Sequence, residues 1–121
     1  MIGIGIDLVE VGRFREVLAR RPGVALRLFT DYERTSLGAR SDPVPGLAAR
    51  FAAKEAAMKA LGVGIGAFGF GDVEVRRQKS GAPELHVSGR AAELAASLGV
   101  GAWSVSLTHT DETASAVVVA R

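Results

Sequence analysis

This chain is expected to fold as an α+β domain with a mainly antiparallel sheet packed against a long central helix, on three observations. Both ends of the sequence read as strands, Ile2 to Val9 and Thr113 to Ala120. A single alanine-rich segment, Leu47 to Leu61, has the composition and length of a long buried helix. The remaining strand-like runs follow one another in pairs rather than alternating singly with helices. That order, β-α-α-α-β-β-α-β-β, suits antiparallel neighbours rather than parallel crossovers.

In the first run Ile2, Ile4, Ile6 and Leu8 alternate with Gly3, Gly5, Asp7 and Val9. This is strand periodicity, with one apolar face and one face stripped of bulk beside a carboxylate, so another element is able to approach that second face closely. Helical patterns cover roughly residues 10 to 20 and 30 to 39. The second opens on Thr30-Asp31-Tyr32-Glu33, a capping-box spacing that satisfies free amides at a helix start. Ser41 to Gly46 holds two prolines and is expected to turn. The alanine helix then runs to Leu61 and stops at Gly62. Strands are expected at Asp72 to Arg76, Glu84 to Ser88 and Ala102 to Leu107, with a helix from Gly89 to Leu98. The last strand, Thr113 to Ala120, is apolar on both faces and belongs in the middle of a sheet.

With 121 residues and 48% hydrophobic content, a single domain over 1–121 with a modest core is expected. Oligomerisation would help it. No apolar run is long enough for a bilayer, Met1 to Asp7 contains no basic leader, and cysteine is absent, which excludes disulfides, zinc thiolates and cysteine nucleophiles. A cytoplasmic location is expected. A net charge of +2 without aromatic-basic interleaving gives no case for nucleic acid, while an acidic partner stays open.

Candidate chemistry concentrates on the alanine helix. At about 100° per residue, Arg50 and Lys54 share one line and Glu55 and Lys59 a second, while the remaining arc is apolar. A helix without a broad polar face is buried nearly all round, so these charges point into a crowded site. The ordinary alternative is a Glu55–Lys59 ion pair at i, i+4. Asp7 and Glu55 are two hard oxygen donors suited to Mg²⁺, which takes one or two carboxylates and completes its shell with water and phosphate oxygens. Asp7 would also serve as a helix cap or ion-pair member. Directly after the helix, Gly62 to Gly71 places five glycines in ten residues beside Lys54 and Lys59, either a phosphate-wrapping loop or a plain connector. Ser104 to Asp111 delivers His109 to a turn, where it would bind phosphate or act as an acid or base, with no convincing nucleophile for a triad. His86, mid-strand, reads as a packed or solvent-facing residue. In the first helix Arg13 and Arg20, seven residues apart, form with Arg21 a basic stripe flanked by Val17.

Taken in order, Gly3-Ile4-Gly5-Ile6-Asp7-Leu8-Val9-Glu10, Arg50-Phe51-Ala52-Ala53-Lys54-Glu55-Ala56-Ala57-Met58-Lys59-Ala60-Leu61-Gly62 and Val105-Ser106-Leu107-Thr108-His109-Thr110 closely resemble the small bacterial 4'-phosphopantetheinyl transferases of the holo-[acyl-carrier-protein] synthase type, along essentially the whole chain. The resemblance implies transfer of phosphopantetheine from coenzyme A to a serine of apo acyl carrier protein, releasing adenosine 3',5'-bisphosphate. It implies Asp7 and Glu55 as Mg²⁺ ligands, Glu55 and Lys59 as catalytic residues, and coenzyme A contacts from Arg50, Lys54, Lys59, Gly62, Gly64, His109 and Thr110. Gly81-Ala82-Pro83 falls in the family's adenine-side turn. Carrier docking falls on the first helix, at Arg13, Arg20 and Arg21. The family commonly forms a homotrimer with active sites between subunits. Val63 and Ala82 depart from the hydroxyl and basic residues frequent among relatives, so a side-chain phosphate contact is lost at each.

Overall fold

The computed structural model describes residues 2–121. Its elements are β1 (Gly3–Glu10), α1 (Val11–Arg20), α2 (Gly23–Leu28), α3 (Asp31–Gly38), α4 (Val44–Ala60), a 3-10 turn at Phe70–Asp72, β2 (Val73–Arg77), β3 (Pro83–Val87), α5 (Gly89–Ser97), β4 (Trp103–His109) and β5 (Thr113–Ala120). The fold is α+β. β1, β5 and β4 form one antiparallel sheet in that order, with β5 central as its two apolar faces require, and β2 and β3 form an antiparallel hairpin.

The glycines of β1 exist for α4. A Cβ on Gly3 would stand 1.8 Å from the Ala60 carbonyl oxygen, and one on Gly5 would stand 1.9 Å from that of Ala56. Helix backbone therefore lies directly on strand backbone, which alanine on one side and glycine on the other permit. Opposite them on β5, Ala116, Val118 and Ala120 are sealed under the same helix. The bare face of β1 is thus the inner one, and the isoleucine face is the outer one: Ile4, Ile6 and Leu8 are 57%, 60% and 67% exposed.

Three local features depart from expectation. α4 begins at Val44, inside the expected turn, because Pro45 falls in the first helical turn where a missing N–H costs nothing. α2 was not expected at all. Its six residues have no side-chain cap and are too few to display a helical period. The strand boundaries of β2, β3 and β4 move by one or two residues. The Thr30/Glu33 capping box forms in full, with reciprocal bonds of 3.0 and 3.2 Å. At the C-terminal end of α4, Gly62 adopts φ +73°, and the amides of Gly62 and Val63 close the helix on the carbonyls of Lys59 and Met58.

Candidate functional site

Along α4 only Val44, Phe51, Glu55 and Lys59 escape burial, and the last three are spaced four residues apart, so they form one stripe on an otherwise sealed helix. β1 delivers Asp7 to that stripe, since Asp7 follows Gly3 and Gly5 on the inner face. The Lys59 ammonium donates to Asp7 Oδ1 and to the Ile6 carbonyl, each at 3.0 Å. The pairing is therefore Lys59–Asp7, not the local Glu55–Lys59 bridge that sequence spacing left open. Ser115 Oγ donates to the Asp7 carbonyl at 2.9 Å and steadies the strand there.

Asp7 Oδ2 is buried and receives no hydrogen bond from any protein donor. The Glu55 carboxyl lies close to the Asp7 side chain. Burial, a hydrogen bond shared with Asp7 and the Asp7 charge push the Glu55 pKa up to about 7, with Lys59 opposing. When both carboxylates are ionised, neither donates, and Oδ2 is left bare. A shared proton or a cation satisfies it. Among the described residues no group of three or more histidine, cysteine or acidic side chains is placed to hold a metal ion, so a cation here takes two protein carboxylates and completes its shell elsewhere. That donor set fits Mg²⁺.

From these carboxylates a cavity of about 300 Å³ opens toward α1, lined by Leu8, Val9, Arg13, Phe14, Val17 and Phe51 among others. Phe51 stacks on Phe14 at 5.3 Å and holds α1 against α4. Of the basic stripe on α1, Arg13 reaches this cavity. Arg20 and Arg21 do not line it: both are exposed at the far end of α1, where Arg20 pairs with Glu16 at 3.6 Å. On the other side of Glu55 a second cavity, about 220 Å³, is lined by Met58, Lys59, Val63, Gly64 and Ile65. Gly64 thus sits in the site, whereas Gly62 serves the helix end.

A third cavity, about 290 Å³, lies elsewhere and brings Arg40, Arg50 and Arg77 together with Pro83, Thr108 and His109. Arg50 is 4% exposed, spends one N–H on the Gly46 carbonyl at 3.1 Å, and leaves its buried Nε without a partner. Burial first, then the Arg40 and Arg77 charges, lower its pKa to about 10. Three convergent cations, one with an unspent buried donor, have the chemistry to hold an anion. Arg40 and Arg77 escaped sequence reasoning because neither lies in a local motif, and only the tertiary fold joins them. Ala82 stands between two lining residues, but its amide and carbonyl are spent on Ser80 Oγ and the Gln78 amide. Thr110 is next to His109, with its hydroxyl accepting from the amides of Glu112 and Thr113.

Lys54 corrects one expectation. It is fully buried, and its ammonium donates to Glu33 Oε1 at 2.8 Å, the Phe70 carbonyl at 2.9 Å and the Val73 carbonyl at 2.6 Å. All three donors are spent on the protein, so no direct phosphate contact is available from it. Glu33, which the sequence marked only as a cap, is its buried counter-ion and also accepts from the Val75 amide at 2.8 Å. The carboxylate–lysine group and the arginine–histidine group share no lining residue, and Arg50 lies about 140° around α4 from Glu55.

Residues 3–118 match the sequence profile of the 4'-phosphopantetheinyl transferase superfamily. The chain is 50% identical over 120 residues to the holo-[acyl-carrier-protein] synthase of Streptomyces avermitilis, an alignment that spans 99% of this chain and 97% of that one. Among solved structures it is similar to the holo-[acyl-carrier-protein] synthase from Neisseria meningitidis, at 34% identity and a TM-score of 0.90 over 100% of this chain and 99% of that one. It is similar also to the one from Bacillus anthracis in complex with CoA (3',5'-ADP), at 34% identity and a TM-score of 0.82 over 98% and 95%.

Proposed function

The chain belongs to the 4'-phosphopantetheinyl transferase superfamily as an enzyme of the holo-[acyl-carrier-protein] synthase type, and from that premise we propose its reaction and the residues that perform it. It transfers the 4'-phosphopantetheine group of coenzyme A to a serine of apo acyl carrier protein in the cytoplasm, for fatty acid synthesis, and releases adenosine 3',5'-bisphosphate. The observation that carries this is the bare, buried Oδ2 of Asp7, a side chain that has Glu55 close by and Lys59 on its other oxygen.

Asp7 and Glu55 would hold Mg²⁺. When bound it neutralises charge growing on the pyrophosphate as the phosphoryl group moves. The serine oxygen forms a bond to the phosphorus on the pantetheine side, and the bond to the adenosine-side phosphate breaks. Glu55 accepts the serine proton, as the carboxylate that lines both the cavity toward α1 and the one beside Lys59. Lys59, on a half-exposed stem, places its ammonium where the leaving phosphate gains charge. The cavity between Glu55 and α1 admits the carrier, with Arg13 at its mouth and Arg20 and Arg21 extending a basic track for an acidic helix. The anion site of Arg40, Arg50, Arg77 and His109 suits the nucleotide phosphates, with Pro83 on its wall.

These two groups meet across a subunit boundary. The exposed row Ile4, Ile6 and Leu8, continued on β5 by Val117 and Val119, is an apolar sheet face of the kind that copies of a chain bury against each other, and a homotrimer is the assembly proposed.

Mass spectrometry of apo acyl carrier protein incubated with the enzyme, coenzyme A and Mg²⁺ tests the reaction. A gain of about 340 Da is expected for one phosphopantetheinyl group, absent with EDTA and absent with Asp7→Ala. No gain with several carriers would reject the reading.

A further inference from the structure

We propose that Lys59 is a movable counter-ion that holds down the affinity of the carboxylate pair for a divalent cation and releases Asp7 when a pyrophosphate arrives to take its ammonium. This rests on the reading of Asp7 and Glu55 as the metal pair. Two lysines stand five residues apart on α4, and they are held in opposite ways. Lys54 is fully buried with three protein acceptors, so it has nowhere to go. Lys59 has two acceptors, Asp7 Oδ1 and the Ile6 carbonyl, and its side chain is 55% exposed. Its bonds fix its position while solvent leaves it free to move.

The partner it holds matters. Asp7 is only 12% exposed on its side chain and has one oxygen on Lys59 and the other bare. A divalent cation reaching the bare oxygen shares one carboxylate with an ammonium, and like charges a few ångströms apart in a partly solvated site oppose each other by about tenfold in affinity or more. The chain offers no third acidic or histidine ligand there among the described residues to offset this. A pyrophosphate does so twice over, by adding oxygens to the cation and by giving the Lys59 ammonium a new acceptor. Cation and pyrophosphate therefore each strengthen the binding of the other, and the coupling is reciprocal. The cavity of Met58, Val63, Gly64 and Ile65 beside Lys59 is the space into which its ammonium swings.

Mn²⁺ titrations of the full chain, read by the loss of the free-ion electron paramagnetic resonance signal, separate the possibilities. Wild type is expected to bind Mn²⁺ weakly alone and at least about tenfold more tightly with coenzyme A present. Lys59→Met, on the exposed stripe and outside the core, is expected to gain about tenfold in Mn²⁺ affinity without coenzyme A and to lose most of the coenzyme A-driven gain. Lys59→Arg keeps the charge and is expected to behave as wild type. A Lys59→Met protein with unchanged or weaker Mn²⁺ binding overturns the counter-ion role while wild-type binding with coenzyme A leaves the metal pair standing. If wild type retains no Mn²⁺ even with coenzyme A, or Asp7→Ala retains as much as wild type, the metal pair itself is overturned and this role falls with it.

Discussion

Gly5 shows how a residue with no side chain determines where the chemistry sits. Its missing Cβ lets the backbone of Ala56 come within 1.9 Å of the place a methyl would occupy, and Ala56 is next to Glu55. The obstacle is main chain rather than a flexible side-chain end, so relief requires α4 to move off β1, carrying Glu55 and Lys59 away from Asp7. Gly5→Ala is expected to destabilise the protein by about 3 kcal/mol and to reduce transferase turnover with it. Gly12→Ala is the control: a methyl there meets nothing within 4 Å, and in a helix the change is expected to be neutral or stabilising by about 0.5 kcal/mol. Urea midpoints at constant m-value measure both. Equal midpoints for the two variants would mean that β1 and α4 adjust freely. The importance of Gly3 and Gly5 was partly legible, since alternation with isoleucine marked a bare face. What lay on that face was not, because Ala56 and Ala60 are far from β1 in the sequence.

At the scale of elements, α4 is placed by charge as well as by alanine. Lys54 and Glu33, both fully buried, tie α4 to α3, and the same two side chains reach the main chain of the 3-10 turn and β2 through Phe70, Val73 and Val75. Removing one partner strands the other charge in the core. Lys54→Met is therefore expected to cost about 3–5 kcal/mol, and adding Glu33→Gln is expected to return a substantial part of it. Denaturant midpoints of the two single variants and the double variant measure the coupling, and strictly additive losses would remove the ion pair from the account of this core. Helical spacing correctly put Arg50 with Lys54 and Glu55 with Lys59, because that geometry is local. It did not tell which line faced solvent, because Glu33 is distant in sequence and reads only as a cap. The same reasoning explains α2, whose six residues are held by their neighbours rather than by any period of their own.

At the scale of the whole molecule, the candidate site residues of one chain fall into two separate groups. Asp7, Glu55 and Lys59 share one region, Arg40, Arg50, Arg77 and His109 another, and no lining residue is common to both. The outer face of β1, with Ile6 60% exposed, supplies the surface on which copies would join them. If each site takes its carboxylates from one copy and its arginines from the next, two differently damaged chains repair each other. Asp7→Ala alone and the Arg77→Ala/His109→Ala pair alone are each expected to be inactive or nearly so. All three positions lie on the surface or in a partly open site, so the subunits still assemble. Mixed randomly in equal amounts during refolding or co-expression, half of the carboxylate donors and half of the arginine donors are intact, and about a quarter of the sites combine two intact halves. Carrier modification is expected to recover to about that fraction of wild type, counted by the mass shift of the product. Sites confined to single chains give no recovery at any mixing ratio, because every chain then carries its own defect. Recovery with a mixing-ratio maximum near equality therefore reads the assembly directly from chemistry, and its absence would return the anion site to a role outside the reaction.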